Sequence, residues 1–177
     1  MSYAILYNSA SGNTRSVADA LERALARAGA EVACGEIRSG GAEDALALAA
    51  PADTVLVGFW CDKGSCTPEV ADVLAGLAGK RVFLFGTAGF GGAPEYFEQI
   101  LGRVREHLPE GAEYLGGAMC QGKMGDAVRA RYEAMLAKQP GDARIQAMIE
   151  NFDAARSHPD ADDLARIATA AKQALGL

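Results

Sequence analysis

The feature of this chain that most constrains its fold is a regular alternation between short apolar runs and longer segments with helical periodicity. Buried parallel strands consist of short apolar runs, whereas a surface helix repeats its apolar residues every three or four positions. Five runs fit buried strands, at residues 3–7, 31–37, 54–58, 81–85 and 114–120. Helical patterns lie between them, at about 13–28, 42–49 and 94–108, with one more after a Thr-Pro start at 67–68. This alternation predicts a doubly wound α/β fold, in which a parallel sheet lies between two layers of helices.

The last 57 residues contain three further helical patterns, and a fold of this kind needs only one of them. The patterns cover about 126–138, 143–155 and 160–175. The last one predicts a helix at 160–176 that closes the sheet over a core formed by residues 1–120. The other two predict a helical insert over about residues 122–157. With 177 residues the chain is too short for two large domains, so we expect a single domain over 1–177.

Composition and charge exclude several classes of function. No stretch of 18 consecutive apolar residues is present and the N-terminus leads directly into a strand pattern, so we expect a cytoplasmic protein without a membrane segment. Four irregularly spaced cysteines and two distant histidines argue against a metal site. The net charge of −6 disfavours nucleic acid as a partner. Residues 1–119 carry this whole excess, with 9 basic and 15 acidic residues, because residues 120–177 have eight of each.

The loop after the first strand has the composition of an anion-binding turn. Residues 8–14 are Asn-Ser-Ala-Ser-Gly-Asn-Thr and lead into a helix. Free N–H groups at a helix N-terminus attract anions, and hydroxyl and amide side chains donate further hydrogen bonds to a phosphate. Gly12 allows the backbone to approach the ligand. The alternative is an ordinary strand-to-helix turn that Ser or Asn caps.

Two more loops follow strands three and four, at the edge where open α/β sheets bind ligands. The first contains Trp60, the only tryptophan, which is either folded back into the core or a flat surface for stacking on a ring. The second, residues 86–94, has four glycines in nine residues, and such a backbone lets a planar ligand come close. It matches neither the dinucleotide fingerprint nor the P-loop. A phosphate at the first loop and a ring between the other two describe FMN.

These segments resemble the flavin-binding loops of the flavodoxin family over about residues 1–120. Residues 9–14 are similar to the flavodoxin phosphate loop, which usually has Thr at the position of Ser11. Trp60 stands where flavodoxins place an aromatic ring over the inner flavin face, and residues 86–97 are similar to the third loop and its helix. The resemblance implies a flavodoxin-like three-layer sandwich with strand order 2-1-3-4-5, noncovalent FMN and electron transfer.

The candidate cofactor-binding residues lie in all three loops. They are Ser9, Ala10, Ser11, Gly12, Asn13 and Thr14 in the first loop, Phe59, Trp60, Asp62, Lys63 and Gly64 in the second, and Thr87, Ala88, Gly89, Phe90 and Gly91 in the third. Residues 120–123 follow strand five at the same edge, so they or the start of the insert can border the pocket.

Two features depart from the flavodoxin pattern. Many flavodoxins place a tyrosine over the outer flavin face and acidic groups near the ring, whereas Phe90 is the nearest aromatic candidate here and Lys63 is a cation in the ring-binding loop. A cation near the reduced ring stabilises its negative charge, so we expect Lys63 to raise the lower flavin potential. The alternative is a Lys63 side chain that extends into solvent or pairs with Asp62.

The sequence favours an electron carrier over an enzyme, because no constellation of general acid, base or nucleophile is evident. His107 and His158 are expected at the surface, away from the pocket. The predicted carrier passes electrons from a reductase, of the flavin or iron–sulfur kind, to an acceptor protein, and an acidic face around the flavin would steer a basic partner. The alternative is an FMN-dependent reductase or oxidase of a small molecule, such as a quinone or tetrapyrrole, with the insert as one wall of its site. A regulatory domain that has lost FMN is a third alternative, which the intact phosphate loop disfavours.

Overall fold

The computed structural model describes residues 2–177 and contains the alternating elements expected from the sequence. The strands are β1 Ser2–Tyr7, β2 Glu31–Glu36, β3 Thr54–Trp60, β4 Arg81–Ala88 and β5 Glu113–Gln121. The helices are α1 Asn13–Arg27, α2 Ala42–Ala49, α3 Pro68–Ala75, α4 Pro94–Arg105, α5 Asp126–Lys138, α6 Ala143–Ala155 and α7 Ala161–Leu175. Within residues 2–177, none of these helices combines the length and the apolar character that a membrane crossing requires.

The strands form a parallel sheet in the order β2-β1-β3-β4-β5, which confirms the predicted fold and strand order. β3 and β4 extend two to three residues beyond the predicted apolar runs, because Phe59 and Trp60 pair with Gly86 and Thr87. The second and third loops therefore begin with residues that the sheet still holds. This pairing fixes the backbone at the entrance to both loops.

Helices cover both faces of the sheet. α2, α3 and α4 pack on one face, over a core that includes Val57 and Leu84. α1 and α7 pack on the other face, over Ile5 and Phe85. Gly58 is required between these layers, since a Cβ atom at this position would lie 2.3 Å from the ring of Phe85.

The helical insert has a small core of its own. α5 and α6 pack against each other. Each helix contributes buried side chains, which are Tyr132 on α5 and Ile145 and Phe152 on α6. None of these three side chains belongs to the two clusters that cover the sheet. Arg129 of α5 forms ion pairs with Glu133 on the same helix and with Asp153 of α6. The insert is thus held together by packing that is independent of the sheet.

Candidate functional site

The three loops meet at the carboxyl edge of the sheet, around an open cavity of about 940 Å³. Ten of the sixteen candidate residues line it: Ala10, Ser11, Asn13, Trp60, Lys63, Gly64, Thr87, Ala88, Gly89 and Phe90. Pockets for a drug-sized ligand span roughly 300–1,000 Å³, so a mononucleotide fits in this one.

The remaining six candidates lie around the cavity rather than in its wall. Ser9 and Asp62 line a smaller cavity on the other side of Trp60, and Gly12 lines a polar pocket beside the first loop. Thr14 and Phe59 are buried, and Gly91 belongs to the third loop without lining the cavity. The side chain of Phe59 is fully buried in the sheet core, where its ring would meet a Cβ atom at Gly86, so it does not face the cavity.

The first loop presents backbone donors at the start of α1. Gly12 is the N-cap residue and has φ +85°, a left-handed conformation that favours glycine, and the space beside its Cα is open. Among residues 2–177 no acceptor is found for the N–H groups of Gly12, Asn13 and Thr14, whereas the N–H of Arg15 donates to Ser9 Oγ at 3.2 Å. Unpaired N–H groups at a helix N-terminus are the donors that a phosphate accepts.

Asn13 and Thr14 connect this loop to other strand ends. The Asn13 amide donates to Ser11 Oγ at 3.0 Å and to the carbonyl oxygen of Lys123 at 2.9 Å. The hydroxyl groups of Thr14 and Thr87 lie 3.0 Å apart and are buried. The first loop is therefore fixed to β4 and to the chain after β5.

The indole of Trp60 is held in one orientation by a hydrogen bond that the sequence did not suggest. Trp60 Nε1 donates to Asn8 Oδ1 at 2.7 Å, and Asn8 Nδ2 donates to the carbonyl oxygen of Ile37 at 2.8 Å. The ring is half-buried and lines the large cavity on one side. This geometry favours the stacking surface over the core residue among the two alternatives for Trp60.

Lys63 lies at the tip of a tight two-residue turn. Asp62 and Ser65 exchange backbone hydrogen bonds of 2.9 and 3.0 Å, and Lys63 and Gly64 between them have φ of +49° and +85°. Such turns favour Asn or Gly at both central positions, so a lysine here is unusual. Arg103 of α4 donates to the carbonyl oxygen of Gly64 at 3.1 Å, which anchors the turn beside the cavity.

The third loop is held from outside by the helical insert. Asn151 of α6 accepts from the N–H of Gly91 at 3.0 Å and from Gln121 Nε2 at 3.2 Å, and it donates to the carbonyl oxygen of Gly89 at 2.9 Å. Asn151 is not among the residues that the sequence predicted for the site. The available signal was a polar residue next to Met148 and Phe152, which belong to the apolar face of α6.

α5 and the segment before it form one wall of the cavity. Its lining residues there are Gly122, Lys123, Met124, Gly125, Val128, Arg131 and Tyr132. Of residues 120–123, which can border the pocket by their position after strand five, Gly122 and Lys123 line this cavity, and the extent of the wall beyond them was not anticipated. A Cβ atom at Gly89 would lie 2.5 Å from Met124, which shows how closely the third loop and this wall approach.

The cavity wall is basic, contrary to the acidic surroundings expected from the charge distribution. Its lining includes four cations, Lys63, Arg103, Lys123 and Arg131, and no aspartate, glutamate or histidine among residues 2–177. The 15 acidic residues of segment 1–119 lie elsewhere, since none of them lines this cavity. Cys61 and Tyr96, which also line the cavity, have raised pKa values, chiefly because burial disfavours their charged forms.

His158 lies closer to the site than expected. It lines the polar pocket of about 280 Å³ beside Ser11 and Gly12, and its carbonyl oxygen accepts from the N–H of Lys123 at 2.8 Å. Its ring Nδ1 lies 2.5 Å from Asp163 Oδ2. Burial opposes ionisation of Asp163, but hydrogen bonds from His158 and the Asp160 backbone lower its pKa below the usual value. This pair stabilises the start of α7, where Asp160 and Asp163 form a capping box.

Comparison with known proteins agrees with this geometry. The sequence model of a family described as the flavodoxin domain matches residues 4–172. The chain belongs to the flavodoxin family. Membership supports FMN as the cofactor, and the unpaired N–H groups of the first loop, the fixed indole and the adjoining cavity fit that molecule.

Among relatives in this family, a flavodoxin-like domain-containing protein BilS of Clostridium symbiosum is 40% identical over 174 residues, which are 93% of this chain and 91% of the relative. A protein of the same description from Clostridioides difficile is 33% identical over 112 residues, 63% of this chain and 64% of that protein.

Two solved structures share the fold. The rubredoxin oxygen:oxidoreductase of Desulfovibrio gigas aligns with a TM-score of 0.53 at 17% identity, over 99% of this chain and 37% of that one. A WrbA-like flavodoxin of Agrobacterium tumefaciens aligns with a TM-score of 0.51 at 16% identity, over 97% of this chain and 98% of the other.

Proposed function

We propose that this protein is an FMN-dependent electron carrier, which passes electrons between a reductase of the flavin or iron–sulfur kind and an acceptor protein in the cytoplasm. When bound, FMN supplies the transfer of one or two electrons. The protein supplies a binding site and controls what reaches the ring. The structural likeness to the rubredoxin oxygen:oxidoreductase of Desulfovibrio gigas supports partners that are themselves redox proteins.

The first loop would hold the phosphate and the other two would hold the ring. The N–H groups of residues 12–14 would donate to the phosphate, with the amide of Asn13 and the charge of Lys123 close by. Trp60 and Phe90 supply aromatic surfaces at the second and third loops.

The observation that carries this proposal concerns which side chains of the cavity wall can donate a proton near neutral pH, a task most often carried out by carboxyl and imidazole groups. Reduction of a quinone or of a carbon–carbon double bond consumes protons as well as electrons, whereas electron transfer to another redox centre does not require one from the protein. The described lining contains no carboxyl group or imidazole. The raised pKa values of Cys61 and Tyr96 make both groups weaker acids than usual, so neither is suited to donate a proton near neutral pH.

A second candidate function is supported by the wall that the insert contributes. Val128, Arg131 and Tyr132 of α5 give the cavity a side that a ligand other than FMN could contact. An FMN-dependent reductase or oxidase of a small molecule, such as a quinone or a tetrapyrrole, would use that side as its substrate site.

Anaerobic reduction distinguishes the two functions. The FMN-loaded protein is mixed with NADH or NADPH, with and without a catalytic amount of a separate NADPH-dependent flavin reductase, and the flavin absorbance is followed. A carrier is bleached only when the separate reductase is present. Rapid bleaching by the nicotinamide alone contradicts the carrier and favours the reductase.

A further inference from the structure

Three cations that have no ion-pair partner among residues 2–177 line the candidate flavin cavity. Lys63 belongs to the second loop, Arg103 to α4 and Arg131 to α5, and all three side chains are exposed and line the cavity. We propose that this cationic rim docks an acidic redox protein, a proposal that rests on the carrier function above.

None of the three rim cations forms an ion pair with any residue from 2 to 177. The ion pairs of the described chain involve other groups: Arg38, Arg81, Arg129, Arg166 and His158. Arg103 uses one N–H on the carbonyl oxygen of Gly64, and a guanidinium has five such donors. The rim therefore keeps most of its charge and hydrogen-bonding capacity available to a partner.

The same mouth carries aromatic surface of the kind that protein interfaces use. Phe90 is 51% exposed, more than any other large apolar side chain among residues 2–177. Its ring packs edge-on against Tyr96, which also lines the cavity, with 6.3 Å between the ring centroids. Arginine and aromatic residues are enriched in interfaces, and electron-transfer complexes bury little area, so a few such residues carry much of the contact.

The rim is positively charged, whereas the chain as a whole has a negative net charge. The chain has a net charge of −6, and on the far side of Trp60 the smaller cavity is lined by Asp62 and Glu69. At an ionic strength of about 0.1 M, charges more than about 10 Å away are largely screened, so a docked partner senses the rim more than the distant carboxylates. Because the rim side chains are exposed instead of enclosing a small anion, the arrangement favours a protein surface as the occupant.

The rate of electron transfer to two haem proteins of opposite charge tests this inference. The FMN-loaded protein is reduced anaerobically and mixed with an oxidised acidic b-type cytochrome or a basic c-type cytochrome, at ionic strengths from about 50 to 500 mM. The variants are Arg131→Gln, Arg131→Lys and Lys138→Gln. Lys138 is the last residue of α5 and does not line the cavity, so Lys138→Gln changes the net charge as Arg131→Gln does but leaves the rim intact.

With the acidic cytochrome we expect the rate constant to fall as salt rises and to fall about two- to fivefold in Arg131→Gln, the effect of one exposed ion pair. Arg131→Lys and Lys138→Gln should remain within about 1.5-fold of the unaltered protein, and Arg131→Gln should not slow reduction of the basic cytochrome.

Three results would overturn the inference. Equal effects of Arg131→Gln and Lys138→Gln would reflect net charge alone. A rate with the acidic cytochrome that rises with salt would show that the carboxylates dominate. An Arg131-dependent affinity for the small probe anthraquinone-2-sulfonate, without any effect on the acidic cytochrome, would assign the rim to a small anion. If neither cytochrome is reduced, the carrier function itself fails, which is a different outcome from transfer that ignores the rim.

Discussion

At the scale of single residues, Lys63 is unusual because it is a non-glycine residue with a positive φ angle. It adopts a left-handed conformation in a turn whose other residues are fixed by two backbone hydrogen bonds and by Arg103. A non-glycine residue in this region costs free energy, and such residues concentrate at functional sites. No ion pair joins Lys63 to Asp62 within the described chain, so the lysine charge faces the cavity and the solvent.

We therefore predict that Lys63→Ala lowers the second, more negative flavin potential by about 20–40 mV, since the positive charge stabilises the reduced ring. A spectroelectrochemical titration of the FMN-loaded variant measures this shift. Lys138→Ala, which removes a distant cation from the same molecule, provides the matched control. An unchanged potential in Lys63→Ala would refute the role assigned to this side chain.

Asn151 is the residue that connects the insert to the flavin loops. Its amide satisfies both the N–H of Gly91 and the carbonyl oxygen of Gly89. We expect Asn151→Ala to weaken FMN binding by up to about thirtyfold, because two hydrogen bonds of about 1 kcal/mol each are lost from the third loop. Gln146→Ala, an exposed position on the same helix, serves as control in the same fluorescence titration. Equal affinities of the two variants would mean that the third loop is ordered without the insert.

At the scale of elements, the insert is a small helical unit with its own core. Phe152 is 1% exposed and packs within this unit, away from both sheet clusters. Phe-to-Ala changes in a core cost about 3–5 kcal/mol, which is enough to open a small unit before the sheet unfolds.

Hydrogen exchange can detect this local opening. In Phe152→Ala we expect the amides of α5 and α6 to exchange faster while those of β1, β3 and β4 remain protected. Met135→Ala, at a side chain that is 39% exposed on α5, should change neither group. Equal loss of protection in the sheet would contradict the view that the insert opens independently.

The helices and strands were predictable from the sequence, whereas the ends of two strands were not. The apolar runs and helical stripes predicted the five strands and seven helices, because local periodicity follows from which face is buried. The apolar runs predicted that β3 and β4 end at Gly58 and Phe85, which is two to three residues before their observed ends at Trp60 and Ala88. Strand pairing through Trp60 and Thr87 depends on the neighbouring strand, and no local pattern records it.

In the candidate site, too, some residues were predictable from local sequence and others were not. The first loop and Trp60 were recognisable because their residue types have few uses at a strand end. Asn8, Asn151 and the wall formed by α5 were missed, because each acts through contacts between segments distant in sequence, such as Trp60 Nε1 with Asn8. The amphipathic patterns of α5 and α6 indicate that these helices pack, but they do not specify against which edge of the sheet.

At the scale of the whole molecule, residues 1–119 and residues 120–177 differ in net charge and in what they contribute to the cavity. The first 119 residues carry the acidic excess and most of the sheet, yet the wall of the cavity is basic and is completed by Lys123 and Arg131 from the neutral remainder. The residues beyond the sheet therefore contribute to both the shape and the charge of the candidate flavin site. Bound FMN is also expected to stabilise the native state, since any ligand that binds only the folded chain does so.

The proposed function requires that FMN binds in the cavity beside Trp60. Because Trp60 is the only tryptophan and lines this cavity, tryptophan fluorescence reports on this indole alone. Titration of the apoprotein with FMN is predicted to quench tryptophan and flavin emission together, with both curves ending at one equivalent. Flavin bound without quenching of Trp60, or no saturable binding, would contradict the account.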